Sequence, residues 1–135
     1  MPKVAERPHR QEFALKILEG APILLHCTSS YPCRLEDVNL RAMPTLWRDF
    51  GCRFGYSDHT AGITVALAAV AMGAIVIEKH LTLDRNQDGP DHKSSITPKE
   101  FMAMRLGITE VEAALGIEVK RPQPCEMKLR EAWRG

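Results

Sequence analysis

The stretch TAGITVALAAVAMGAIVIEKHLTL (60–83) decides the fold class of this chain. Residues 60–73 are small and apolar, as in a helix that packs closely against a sheet. Residues 75–83 begin with the β-branched residues typical of a strand. A helix that leads directly into a buried strand is part of a βαβ unit. The stretch therefore predicts an α/β fold with a parallel sheet.

Alternating helix and strand patterns extend from this stretch in both directions. The predicted elements are a helix at 8–20, a strand at 22–27, a helical region at 38–51, a strand at 52–57 and a helix from 97 to about 116. We expect Pro44 to start or kink the second helix and Gly51 to close it. Thr97 and Glu100 predict a capping box at the last one. With three visible strands, the sheet would have two unpaired edges, which makes a poor independent domain.

The composition points to a soluble protein that acts on small molecules or other protein chains. The chain has 135 residues, enough for one domain. Its net charge of +1, with 26% charged residues, does not indicate binding to nucleic acid or to an anionic membrane. No apolar run approaches the roughly 18 to 20 residues that span a bilayer, and the first ten residues lack the apolar core of a signal peptide. We therefore predict a cytoplasmic protein with four reduced cysteines.

Polar side chains lie at the ends of two neighbouring predicted strands. Glu78 and His80 share one strand face near its carboxyl end, the end where parallel α/β folds build their sites. His59 follows the preceding strand, 21 residues before His80. Neighbouring strands lie about 4.8 Å apart, so both imidazoles can reach one point above the sheet. Two converging histidines suit a divalent first-row metal, but each can also be a hydrogen-bonded structural residue, and spacing leaves both interpretations open.

The polar residues around the histidines have alternative roles as well. Ser57 and the amides of the following helix could hold a carboxylate or phosphate, or else Ser57 or Thr60 merely caps that helix. Asp58 could orient His59 or cap the same helix. Asp91, in the polar loop after the third strand, could contact a polar substrate or simply face water.

Five motifs give the chain a resemblance to a known family. They are HCTSSYP (26–32), EDVNLRAM (36–43), GYSDHT (55–60), VIEKHLTLD (76–84) and GPDHK (89–93). In this order and spacing they resemble the later part of the catalytic barrel of the N-acetylneuraminate synthases, the sialic acid synthase family. The resemblance covers about residues 10–125. It implies a partial (β/α)8 TIM barrel of about three C-terminal βα units in residues 1–116, with a linker-like tail at 117–135 before a missing antifreeze-like domain.

The resemblance also implies an activity and a set of site residues. Members of the family condense phosphoenolpyruvate with an N-acetylmannosamine-type amino sugar and release phosphate, which would make the chain part of a metal-dependent transferase of carbohydrate biosynthesis. By motif, His59 and His80 would ligate Mn²⁺ or Mg²⁺. Ser29 and Ser57 would contact phosphoenolpyruvate, and Tyr31 and Asp91 would line the amino-sugar site, with Asp91 as a candidate catalytic residue. Glu78 is a second candidate catalytic residue by its position, because it would face inward near the metal and could orient water or ligands there. GYSDHT with GPDHK resembles the neuraminate and legionaminate enzymes more than the pseudaminate ones.

Relative to that family, the chain begins near the helix before the sixth barrel strand and lacks the first five strands. It also lacks the antifreeze-like domain, which in the family's dimer reaches over the partner's active site. By the same resemblance, we expect a homodimer for the full-length enzyme. We expect no activity for this polypeptide alone, because the missing strands would carry other groups that bind phosphoenolpyruvate. Two alternatives stay open. One is a non-catalytic half barrel that acts only by association with another chain, and the other is a different metal-dependent phosphoenolpyruvate aldol-type synthase.

Overall fold

A three-stranded parallel sheet organises the computed structural model, which describes residues 9–18 and 20–134. The main elements are α1 (His9–Ile17), β1 (Ile23–Cys27), α2 (Met43–Phe50), β2 (Arg53–Asp58), α3 (Thr64–Ala71), β3 (Ile77–Lys79), α4 (Pro98–Leu115) and α5 (Met127–Arg134). The predicted α/β class and parallel sheet are confirmed. Residues 1–8 of the predicted barrel segment, together with Glu19 and Gly135, lie outside the described residues.

The strands run side by side in the order β1-β2-β3, so β2 is central. Ile23 to Cys27 pair with Arg53 to Ser57, and Tyr56 to Asp58 pair with Ile77 to Lys79. Gly55 permits the close approach of β2 to the chain entering β3, because a Cβ atom there would lie 2.5 Å from the Val76 carbonyl oxygen. That same oxygen accepts a 2.9 Å hydrogen bond from the Tyr56 amide.

The helices α2 and α3 pack on one face of the sheet, and α4 packs on α3. Tyr56 is fully buried at the centre of this layer. The residues buried with it are Cys33, Val38, Met43, Val65, Ala69 and Ala74. A second cluster, formed by Ala66, Ile96 and Met104, joins α3 to α4. On the opposite face of the sheet, polar side chains such as Ser57 and Glu78 lie near the carboxyl ends of the strands.

The predicted helix boundaries hold where local capping signals fix them. Pro44 lies in the first turn of α2, and Gly51 ends that helix with a positive φ of 66°. Thr97 and Glu100 form the predicted capping box of α4. Within the described residues, none of the helices is both long enough and apolar enough to cross a membrane.

Long-range backbone pairing changes two predicted elements. α3 begins at Thr64 instead of residue 60, because Thr60 pairs with Cys33 in an isolated bridge. β3 is limited to Ile77–Lys79, whereas residues 75–83 were predicted. The chain beyond β3 turns to Ile96, which bonds through its amide to the His80 carbonyl and through its carbonyl to the Thr82 amide.

The tail contains more structure than the linker-like pattern predicted. A short 3₁₀ turn at Pro124–Glu126 leads into α5. The helix is not a core element, because Met127, Leu129 and Trp133 are all exposed. The division of the chain at residue 116 therefore stays a prediction.

Candidate active site

Two pairs of side chains line the polar face of the sheet at the carboxyl ends of β2 and β3. Ser57 lies opposite Glu78 in the strand register, and its hydroxyl donates a 2.6 Å hydrogen bond to Glu78 Oε1. Further along the two strands, the ring centroids of His59 and His80 lie 5.5 Å apart. Side chains two positions apart share a strand face. The structure therefore gathers these four residues into one cluster.

The His59 ring is oriented by the loop that follows β1. Its Nδ1 lies 2.9 Å from the Thr28 carbonyl oxygen, which accepts a hydrogen bond from it. This bond assigns the proton to Nδ1 and leaves the lone pair on Nε2, the atom that lies 3.4 Å from Ser57 Oγ. The His59 carbonyl in turn accepts a 2.8 Å hydrogen bond from the Cys33 amide. Both the backbone and the ring of His59 are therefore held by residues 28–33.

Tyr31 covers the two imidazoles from the same loop. Its ring lies 4.1 Å from that of His59 at an interplanar angle of 33°, and it meets His80 edge-on at 5.4 Å. The tyrosine is 49% exposed, while His59 is buried. One face of Tyr31 thus shields the histidines, and the rest remains open to solvent.

In the described part of the chain, Ser29 and Asp91 form no hydrogen bond with the four residues of the cluster. Ser29 is exposed in the loop that carries Tyr31. Asp91 is half-buried, and its backbone carbonyl accepts hydrogen bonds from the Ser94 and Ser95 hydroxyls at 3.1 and 2.7 Å. In the part of the chain that the structure describes, Asp91 forms no hydrogen bond or ion pair with either histidine. Its substrate and catalytic roles stay predictions.

The structure corrects the expectations for Asp58 and for the start of α3. Asp58 Oδ1 accepts hydrogen bonds from the Thr60 amide (2.9 Å) and the Thr60 hydroxyl (2.7 Å), so it closes a turn instead of capping a helix. It does not bond to the His59 ring, whose Nδ1 donates to the Thr28 carbonyl. Because α3 begins at Thr64, its first amides are seven positions away from Ser57 in sequence, and Ser57 does not cap it.

Comparison with known proteins identifies the family. Residues 4–120 match the NeuB family. The chain belongs to the NeuB family. It is 50% identical over 105 residues to the N,N'-diacetyllegionaminic acid synthase of Campylobacter jejuni, covering 78% of this chain and 31% of the relative. It is 44% identical over 108 residues to the human N-acetylneuraminate-9-phosphate synthase, covering 79% of this chain and 30% of the relative.

A solved structure agrees with this membership. The N-acetylneuraminic acid (sialic acid) synthetase of Leptospira borgpetersenii serovar Hardjo-bovis, crystallised with citrate, superposes with a TM-score of 0.72 at 42% identity. The match covers 84% of this chain and 40% of that one. The NeuB-family chain thus spans about a third of the length of the curated relatives it matches.

The donor set of this NeuB-family chain fits a divalent metal in part. With the proton on Nδ1, the neutral His59 ring presents an Nε2 lone pair 3.4 Å from Ser57 Oγ, and its Nδ1–H is held by a backbone carbonyl, as is usual for metal-ligating histidines. Among the described residues, no group of three or more His, Cys, Asp or Glu side chains could hold a metal ion. The two imidazoles would therefore leave positions for water, substrate or groups from elsewhere.

Sequence reasoning missed the contribution of the loop backbone. The Thr28 carbonyl and the Cys33 amide hold His59, yet every residue carries such groups. The local sequence contains no signal for this arrangement. It depends on the path of the loop between β1 and α2.

Proposed function

We propose that this chain forms the metal-binding side of a nonulosonic acid synthase site, on the last three βα units of a (β/α)8 barrel. The complete enzyme would condense phosphoenolpyruvate with an N-acetylmannosamine-type amino sugar, giving N-acetylneuraminate or a related nonulosonic acid plus phosphate. The observation that carries this proposal is the convergence of the Ser57–Glu78 and His59–His80 pairs beneath Tyr31. The synthase names of the relatives support it.

In this proposal the two imidazoles, His59 and His80, hold Mn²⁺ or Mg²⁺. Imidazole nitrogen donors favour Mn²⁺ over Mg²⁺, because Mg²⁺ prefers oxygen ligands. When bound, the ion would act as a Lewis acid on the sugar aldehyde. The Thr28 carbonyl keeps His59 in the tautomer that leaves Nε2 free to ligate.

The other polar residues would position the substrates. Ser57 holds one oxygen of Glu78, so the second carboxylate oxygen is available to orient water or a substrate hydroxyl. The exposed edge of Tyr31 borders the space in front of the histidines, where the amino sugar would bind. Ser29 would contact phosphoenolpyruvate, and Asp91 would reach the amino sugar from the loop after β3. A neuraminate- or legionaminate-type sugar is the proposed substrate.

Metal binding by the full 135-residue chain tests the first half of the proposal. Titration with MnCl₂ in a calorimeter should show binding that is lost in the His59→Ala and His80→Ala variants. The matched control is His92→Ala, which removes an imidazole that bonds to Thr82 in the loop after β3. Binding that survives both substitutions in folded protein would contradict the metal assignment.

A chimera tests the catalytic half. Residues 23–115 would replace the matching segment of the Campylobacter jejuni N,N'-diacetyllegionaminic acid synthase, and release of phosphate and formation of the sugar acid would be measured. We expect an active chimera whose turnover falls at least about 100-fold with His59→Ala, since a Lewis-acid contribution is worth several kcal/mol. A folded but inactive chimera, beside an active parent enzyme, would count against the proposed function.

A further inference from the structure

We infer that the buried Asp58–Lys79 ion pair is a positioning device that sets the two imidazoles of the site. The pair lies on the helix-packed side of the sheet, opposite the cluster formed by Ser57, Glu78 and the histidines. The part of this inference that concerns metal affinity rests on the proposed function. The part that concerns the placement of the rings does not.

The ion pair joins the backbone on both sides of His59 to the residue before His80. Lys79 Nζ donates to Asp58 Oδ2 at 2.9 Å, to the Thr60 carbonyl at 2.7 Å and to the Asp58 carbonyl at 3.5 Å. Asp58 Oδ1 accepts from the amide and the hydroxyl of Thr60. A single ammonium group therefore binds residues 58 and 60, which flank His59.

The alternation of side chains explains how this bonding controls the opposite face. Asp58 and Lys79 are register partners in β2 and β3, and their neighbours Ser57 and Glu78 are register partners as well. Successive residues point to opposite faces, so the direction of His59 follows from the backbone that the ammonium holds. Without the ion pair, the turn at residues 58–60 would keep its local hydrogen bonds and its bonds to residues 28–33, but it would lose its side-chain link to β3.

Burial indicates that stability is not the main benefit of this pair. The side chain of Lys79 is 2% exposed and that of Asp58 is fully buried. A buried ion pair incurs a large desolvation cost, and well-packed apolar residues of similar volume are often as stabilising. What apolar residues cannot supply is a set of directional donors to two carbonyls and a carboxylate. The placement of these donors around His59 points to a role in geometry.

The test compares wild type with the Asp58→Asn/Lys79→Met double variant of the full chain. This variant removes both charges at nearly constant volume and leaves an amide oxygen for Thr60. In metal-free protein, cross-relaxation between the ring protons of Tyr31 and His59 reports the 4.1 Å stacking directly. We expect these signals to disappear in the double variant, with the fold retained by circular dichroism. We also expect the Mn²⁺ dissociation constant to rise about 10- to 100-fold.

The control removes charges of the same types from an exposed pair. Arg48→Met/Asp49→Asn on α2 deletes an ion pair whose side chains are 67% and 26% exposed, and it should leave both readouts unchanged. If the double variant at the site does not fold, Thr60→Val removes one hydrogen bond to Asp58 and should alter the same signals to a smaller degree.

The outcomes separate the two claims. Ring contacts that persist in a folded double variant, or cross-relaxation signals that are unchanged in folded Thr60→Val when the double variant does not fold, would overturn the positioning role. Loss of the ring contacts supports that role whether or not the ion binds. Failure of wild type to bind Mn²⁺ would count only against the proposed metal site.

Discussion

Gly55→Ala tests whether β2 and the chain entering β3 are packed as closely as the structure indicates. The added Cβ would lie 2.5 Å from the Val76 carbonyl oxygen, and ordinary contact begins at 3.4 Å, so the backbone would have to move by about 0.9 Å. The oxygen cannot rotate away as a side chain would. It also accepts the Tyr56 amide hydrogen bond of 2.9 Å, which the movement would stretch.

The expected cost follows from these two effects. Overpacking a tight interior site costs about 1–3 kcal/mol, and weakening one buried backbone hydrogen bond adds about 1 kcal/mol. The lower entropy of alanine in the unfolded chain returns about 0.4–1 kcal/mol. We therefore expect Gly55→Ala to lower the free energy of unfolding by about 1–3.5 kcal/mol, measured by urea denaturation with circular dichroism.

Gly107→Ala provides the matched control on α4. Its Cβ would meet only the flexible side chain of Leu67, with two methyl carbons at 3.0 Å. Alanine also has the better helix propensity, by about 1 kcal/mol, so the stability of this variant should stay close to that of wild type. If Gly55→Ala is as stable as Gly107→Ala, the inferred contact between β2 and Val76 is wrong.

Three further predictions concern buried or paired ionisable groups. Lys79→Met alone leaves the buried Asp58 carboxylate without its cation, so it should lower the free energy of unfolding by about 3–5 kcal/mol. The Asp58→Asn/Lys79→Met double variant should lose less stability than this. Equal urea midpoints for the two variants would contradict the prediction. Hydrogen bonds from Arg85 and then Thr97 lower the pKa of Glu100 from 4.5 to about 2, so its ionised form stabilises the fold above pH 4.5 and this contribution is lost as the pH falls toward 2. The Tm advantage of wild type over Glu100→Gln should therefore shrink across that interval, and a constant difference would refute the assignment. Burial raises the pKa of Tyr56 well above its usual value of 10, so the neutral phenol stabilises the fold below pH 10 and this contribution is lost as the pH rises further. In alkaline titration, tyrosinate absorbance from Tyr56 should appear only together with loss of the circular dichroism signal, and ionisation in folded protein would show the burial to be wrong.

Sequence patterns predicted the parts of the site that depend on strand alternation. The positions of Glu78 and His80 in IVIEKHLTL place them on one face, and the carboxyl end of a parallel strand is where sites form. The cross-strand partners were less accessible to prediction. Ser57 meets Glu78 because of the β2–β3 register, which the sequence of either strand alone does not specify.

The sequence by itself determined the α/β class, the order of its elements and the family, because apolar periodicity, helix caps and five ordered motifs are local properties of the chain. The tertiary structure decided where α3 begins, where β3 ends and what holds His59. Each of these depends on backbone groups that bond across more than ten residues of sequence, such as Cys33 with His59, Ile96 with His80 and Thr28 with His59. The ion pair of Asp58 and Lys79 has the same origin. A charged residue is normally expected at the surface, and only the register of two strands brings this lysine to its buried carboxylate.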